Sequence, residues 1–294
     1  MLMITQCRNV QKYAKSVALC FGLLILRELS VGLTYCLILK SLKMAKQKGV
    51  IKLKGTMGDV TYYRTADGYM AREKGGIEKQ RIMNDPAFKR TRENGQEFGT
   101  AGKSGQLIRK SQRLLMRQVK DNRVTGRLVQ ILMRIIKSDA INERGLRTVQ
   151  DGDMDQLKGF EFNQKGKLTT VFFTGFTPTF DRVSGAYDVD IADFVPGDAI
   201  DAPRGTTHIQ LSAGVSSLDF TARSFEEGHI LSPIIPYDNQ TQAAFTLSAT
   251  IGAASTMPVI GVVGVSFFQE VNGQMYPLRN GVFNALSIVT VDQP

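Results

Sequence analysis

The alternation of apolar and polar side chains changes period twice along the chain. Val50–Lys54 alternates apolar with basic residues, and Val60–Arg64 and Tyr69–Arg72 are rich in β-formers. Gly55-Thr56-Met57-Gly58-Asp59 and Ala66-Asp67-Gly68 are turn sequences between these runs. The pattern predicts a small antiparallel β-ribbon ended by Gly75-Gly76. Asn84-Asp85-Pro86 then reads as a helix start, with Asp85 as N-cap and Pro86 at the first helical position. Asn94-Gly95 or Gly99 is the expected stop.

From Gln106 the period is helical. Leu107, Ile108, Leu114, Leu115 and Val119 form an apolar side, interrupted at Asp121-Asn122. Thr125 is the expected cap of a second helix, whose apolar side is Leu128, Leu132, Ile135 and Ile136. Together they predict an αα-hairpin. Helical periodicity ends at the linker Asp151–Lys158. Eight of the nine prolines follow it. Candidate strands there are Phe160–Asn163, Leu168–Thr174, Tyr187–Ile191, His208–Ala213, Leu218–Ala222, Ala244–Ile251, Val259–Phe268 and Phe283–Val289. Short strands separated by Gly, Pro, Asp and Asn fit an antiparallel sandwich.

Residues 1–43 read differently. Val17–Leu39 is long enough to span a bilayer, but Arg27 and Glu28 interrupt it. An arginine at mid-membrane costs about 2.5–3.5 kcal/mol. The basic start and the apolar run Val17–Leu26 imitate a signal peptide, without a small-x-small cleavage site. Met44 opens a different kind of text, so residues 1–43 are expected to be a mis-annotated extension, with a membrane or export segment as the alternative. Cytoplasmic location follows from a start at Met44. Membrane anchoring or export follows if residues 17–39 are retained.

Composition narrows the function classes. The 294 residues include 43% hydrophobic residues, too many for a wholly disordered chain. Three cysteines, all within the first 36 residues, and two histidines support neither a disulfide scaffold nor a thiolate–imidazole zinc site. The net charge of +10 conceals a division: residues 44–158 hold 25 basic and 13 acidic residues, and residues 159–294 hold 6 and 13. Such asymmetry implies a polyanionic partner for the basic half, or contact between basic and acidic surfaces.

Candidate chemistry is sparse. Gly99-Thr100-Ala101-Gly102-Lys103-Ser104 ends like a phosphate loop, but Glu97 stands where the motif needs its first glycine. A glycine-rich helix connection is the plainer reading. Arg109, Arg113, Arg117 and Lys120 follow helical spacing, and Arg127, Arg134 and Lys137 lie on the polar side of the second helix. They are candidates for contact with a polyanion or an acidic protein surface, or a solvated face. Tyr62, Tyr63 and Tyr69 are candidates for stacking on bases, against the plainer reading of aromatics packed on the rest of the protein. Asp188, Asp190 and Asp193 are weak calcium candidates, because they lack the spacing of a calcium loop. His208 and His229 have no neighbouring nucleophile motif. No catalytic residue and no cofactor is assigned.

The stretch Ile51–Asp59, followed by Asp67–Gly76 and Asn84–Asn94, resembles an uncharacterised protein family of Bacteroidota whose members start near Met44. The likeness implies no activity and supplies no site residues. The expected fold is α+β. It comprises a basic β-hairpin and helical hairpin over 44–158, then an acidic, mainly antiparallel, immunoglobulin-like β-sandwich over 159–294. The expected role is non-enzymatic: structural, assembly or protein interaction, with a protein partner or self-association. The alternatives are nucleic-acid binding through helices 106–137, and a carbohydrate-binding or envelope-associated module.

Overall fold

The structure is a computed structural model and describes residues 45–73 and 76–294. Val17–Leu39, Met44 and Gly75 lie outside the described residues. No helix among the described residues is long and apolar enough to cross a membrane. The chain divides into two compact units, at Glu78/Lys79.

The described part of the first unit is a sheet of four strands: β1 (Ala45–Lys46), β2 (Gly55–Met57), β3 (Val60–Thr65) and β4 (Gly68–Glu73), in the order β1-β4-β3-β2. The β3–β4 hairpin pairs Thr65 with Gly68 across Ala66-Asp67. Gly68 takes a φ of 118°, which a side chain would resist. No described residue of this sheet is buried.

The second unit begins with α1 (Lys79–Asn84). Asp85 then accepts from Ala87 N at 2.9 Å, and Pro86 opens a 3-10 turn leading into α2 (Lys89–Ser111). The expected stop at Asn94-Gly95 or Gly99 is corrected, because α2 runs through both. Interior glycines cost about 1 kcal/mol each in a helix. Here burial of Ala101, Leu107 and Ile108 offsets that cost. Gly105 lets a second helix approach closely, since a Cβ there would meet Leu132 at 3.2 Å.

The helix expected to continue to Lys120 instead breaks at Gln112. A one-turn α3 (Arg113–Met116) follows. α4 (Val124–Ser138) buries Val124, Leu128, Leu132, Ile135 and Ile136, a single face at helical spacing. Its start is organised by Asp121, whose carboxylate accepts from Arg123 N at 2.7 Å; the expected Thr125 cap is not used.

The remainder is α5 (Leu168–Val171), β5 (Phe176–Asp181), β6 (Ala186–Ile191), α6 (Pro196–Ala199), β7 (His208–Asp219), β8 (Ser224–Leu231), β9 (Ile235–Pro236), β10 (Phe245–Thr250), β11 (Val259–Val271), β12 (Gln274–Pro277) and β13 (Ala285–Asp292). Each strand pairing among these is antiparallel. A six-stranded sheet has β11 and β7 at its centre, and a three-stranded sheet has the order β10-β6-β5.

The six-stranded sheet is covered on both faces. One face carries Ile209, Leu211, Val263 and Val265 against Tyr187, Val189 and Leu247 of the small sheet. The other carries Ile260, Val262, Leu286 and Ile288 against Ile108, Leu128 and Leu132 of the helices. The expected division at 158/159 is therefore corrected: helices and sheet share a core, and the compact units part at 78/79. The β7 row beneath the helices is small, with Ser212, Gly214 and Ser216. A Cβ at Gly214 would come within 2.9 Å of Gln112 and Leu115, so a larger residue would push the helices away.

Three expected strands differ. Leu168–Thr174 begins as the α5 turn, because Glu161 Oε1 caps Leu168 N at 3.1 Å and both Leu168 and Val171 are buried. Phe160–Asn163 forms no regular strand but clips the edge of β13, through Gly159 N to Ile288 O and Phe162 N to Leu286 O. The expected strand Leu218–Ala222 is the end of β7 and its turn.

Candidate interaction surfaces

The basic residues singled out above do not act as one stripe. Arg113 and Arg117 follow the break at Gln112, which takes them off the helical register of Arg109. Arg109 donates to Gly105 O at 3.1 Å and is half-buried. Arg127 is corrected as a partner-facing residue. It pairs with Asp121, donates to Glu161 O at 2.6 Å, and lies 5.3 Å from the centre of the Phe160 ring. That arginine holds α4 to the edge segment of the sheet. Arg113, Arg117, Lys120, Arg134 and Lys137 are exposed and enter no ion pair within 4.0 Å among the described residues.

The three tyrosines divide between two faces. Cross-strand pairing puts Tyr62 and Tyr69 on one face of the β3–β4 hairpin and Tyr63 on the other. The Arg64 guanidinium lies 5.6 Å from the Tyr69 ring centre, and that of Arg72 lies 5.4 Å from Tyr63. These rings carry cation–π partners from their own hairpin.

The outer face of the small sheet is an ordered polar surface. Asp190 stands between Thr177 and Thr246, and Asp188 between Thr179 and Ser248. Thr246 Oγ1 donates to Asp190 Oδ1 at 2.5 Å. Asp193 lies in the loop after β6. Among the described residues no group of three or more His, Cys, Asp or Glu could hold a metal ion, so the calcium candidates are not gathered into a site.

Lys103 and Ser104 line a pocket of about 380 Å³ with Thr100, Thr148, Thr221 and Arg223. The glycine-rich connection expected there is helix instead. Helical backbone N–H groups are spent within α2, so they cannot cradle a phosphate. His208 lies 3.0 Å from Thr207 Oγ1 and 3.9 Å from Glu270. His229 borders the junction of α2 with the sheet, where Ser216 Oγ accepts from Gln112 Nε2 at 2.9 Å. Burial holds the His229 imidazole below its ordinary value, against the opposing pull of Glu227 and the Ser111 backbone.

Sequence reasoning missed one feature. A groove of about 580 Å³ between β5 and β13 is lined mainly by apolar side chains, including Phe172, Phe173 and Phe176. Phe173 is 62% exposed. The available signal was the pair Phe172-Phe173, which lies inside the strand expected over Leu168–Thr174.

No protein-family model matches the chain, and no curated protein matches it. Among solved structures, it is similar to one from work on "pH-induced modulation of Streptococcus parasanguinis adhesion by Fap1 fimbriae". That likeness has 9% identity and a TM-score of 0.22, covering 40% of this chain and 81% of that one. At that score it carries no argument about fold or role.

Proposed function

We propose that the protein is a non-enzymatic assembly or interaction protein that associates with copies of itself. The observation that carries this reading is the separation of exposed charge. Unpaired cations at Arg113, Arg117, Lys120, Arg134 and Lys137 stand on the helical segment, and the exposed Asp190 and half-buried Asp188 line the outer face of the small sheet. Surfaces of opposite sign on one chain favour contact between chains, weakened by salt.

The first unit supports the same reading. A sheet of this size with no buried described residue gains little from its own packing, and covering it with another chain would supply the missing burial. The resemblance to the uncharacterised Bacteroidota family, carried by Ile51–Asp59, Asp67–Gly76 and Asn84–Asn94, is proposed as kinship. The immunoglobulin-like class is proposed for the two packed sheets, supported by their antiparallel pairing.

The test is sedimentation of the full chain across concentration at low and high salt. The expected result is a mass above one chain at low salt that falls as salt rises. A single-chain mass throughout overturns the proposal. Nucleic-acid binding is the second reading, favoured by the same unpaired cations. It predicts steeply salt-dependent binding of an oligonucleotide by the full chain. The full chain is required because the helices share a core with the sheet.

A further inference from the structure

The first unit contains a loop that displays apolar side chains by construction. The Gln47 side chain clamps both backbone groups of Leu53, donating to Leu53 O at 3.3 Å and accepting from Leu53 N at 2.9 Å. Lys52 Nζ collects the carbonyls of Gln47 at 2.8 Å and Gly49 at 2.6 Å. Four backbone groups of the loop are thus bonded by its own side chains. At its tip, Val50 is 100% and Ile51 81% exposed. Held in place, two adjacent aliphatic side chains lose little further freedom on binding.

The groove between β5 and β13 has matching character. No charged residue lines it. Its wall is already formed: Phe172 stacks on Phe176 at 5.8 Å and meets Phe194 edge-on at 5.9 Å. The rim is acidic. Asp201 N bonds to Val171 O and Phe173 N to Ala199 O, so the exposed Asp198 and Asp201 belong to a segment tied alongside the groove's phenylalanines. The loop carries the opposite charge around its tip, at Lys46, Lys48, Lys52 and Lys54. Pro178 in β5 offers no N–H to an added strand, which favours seating through side chains over strand addition.

We propose that the Val50–Ile51 tip of one copy seats in the Phe172–Phe173–Phe176 groove of a second copy, joining chains head to tail. This rests on the self-association reading and names its contact. Tip and groove are different surfaces, so the contact is heterologous and leaves a free tip and a free groove on every pair. Chains or rings result, rather than closed dimers.

The experiment uses the full chain and two variants at exposed positions, Ile51→Asp and Phe173→Asp, with Val50→Asp and Phe173→Ser as milder backups. Circular dichroism checks that each is folded. In sedimentation series the wild type is expected to grow beyond two chains, and each variant to associate at least tenfold more weakly. Mixing Ile51→Asp with Phe173→Asp restores one intact tip and one intact groove, so the mixture is expected to stop at a 1:1 dimer. Wild-type association that neither variant weakens overturns the tip-and-groove contact and leaves self-association standing. A wild type that stays single at all concentrations overturns both. Pelleting of a single-chain wild type with phosphatidylserine vesicles, lost in Ile51→Asp, would make the tip a membrane wedge and also overturn the proposal.

Discussion

Nine consecutive residues of β11, Val259 to Phe267, are buried, whereas none of the described residues in the β1–β4 sheet is. Both sheets are antiparallel and both use β-branched and aromatic residues. They differ in what lies on their faces. β11 has helices on one side and the small sheet on the other, so its alternate side chains enter two cores. β3 carries Val60 and Tyr62 on one face and Thr61 and Tyr63 on the other, all half-exposed. Strand-forming residues make a strand in either setting, and covering layers decide whether it stabilises a fold.

The largest effect sharpening this contrast is core truncation. Leu132→Ala removes a fully buried side chain between α4, α2 and the sheet and is expected to cost about 2–5 kcal/mol. Ile51→Ala is expected to change the stability of dilute protein by less than about 0.5 kcal/mol. Urea unfolding measures both, and a large loss in the second would contradict the contrast.

Glycines separate the close approaches from the open positions. A Cβ at Gly261 would stand 2.6 Å from the buried Tyr187 ring, so Gly261→Ala is expected to destabilise by about 1–3 kcal/mol. Gly95 in α2 has nothing within 4 Å of its Cβ position. There Gly→Ala is expected to stabilise by about 0.5–1 kcal/mol, read as a higher melting temperature.

The loop after α4 depends on one carboxylate. Asp139 Oδ1 accepts from Ile141 N and Asn142 N, and Oδ2 from Thr148 N and the Asn142 amide. Burial pushes this carboxyl up, but those hydrogen bonds outweigh it and hold it at about 2. Its contribution is complete above the unfolded value of 3.8 and is lost as pH falls through the folded value of about 2. Asp139→Ala is expected to cost about 1–3 kcal/mol at pH 7. The difference from wild type should shrink in acid unfolding curves.

His229 gives the smallest expected effect. Its folded imidazole titrates below the unfolded value of about 6.5, so protonation favours unfolding. Its contribution is full above that pH and declines below it, down to the folded value. In His229→Gln the fall in melting temperature between pH 7.5 and 5.5 should be smaller than in wild type. An unchanged fall would remove His229 as its source.

Periodicity located what single elements decide. The buried face of α4 was legible because Leu128, Leu132, Ile135 and Ile136 repeat at helical spacing. The central strands were legible in Val259–Phe268 and His208–Ala213. What escaped was set by tertiary packing. Glu161 turns Leu168–Val171 into a helical turn despite its β-forming threonines. α2 continues through Gly95, Gly99 and Gly102 because its other face is buried. Edge strand β8 carries Glu226, Glu227 and Gly228, residue types that are depleted in strands. The reading of Arg127 as a partner-facing cation failed because the carbonyls of Glu161 and Phe162 that it binds lie more than 30 positions away.

The most direct test of the comparison is hydrogen exchange at two concentrations of the full chain. Amides of β7 and β11 should be protected in dilute and concentrated protein alike, because their covering layers belong to the same chain. Amides of β3, β4 and residues 50–54 should exchange rapidly when dilute and slow down when concentrated, as a second chain covers them. Equal protection of the β3–β4 hairpin at both concentrations would contradict the claim that the first unit relies on another copy.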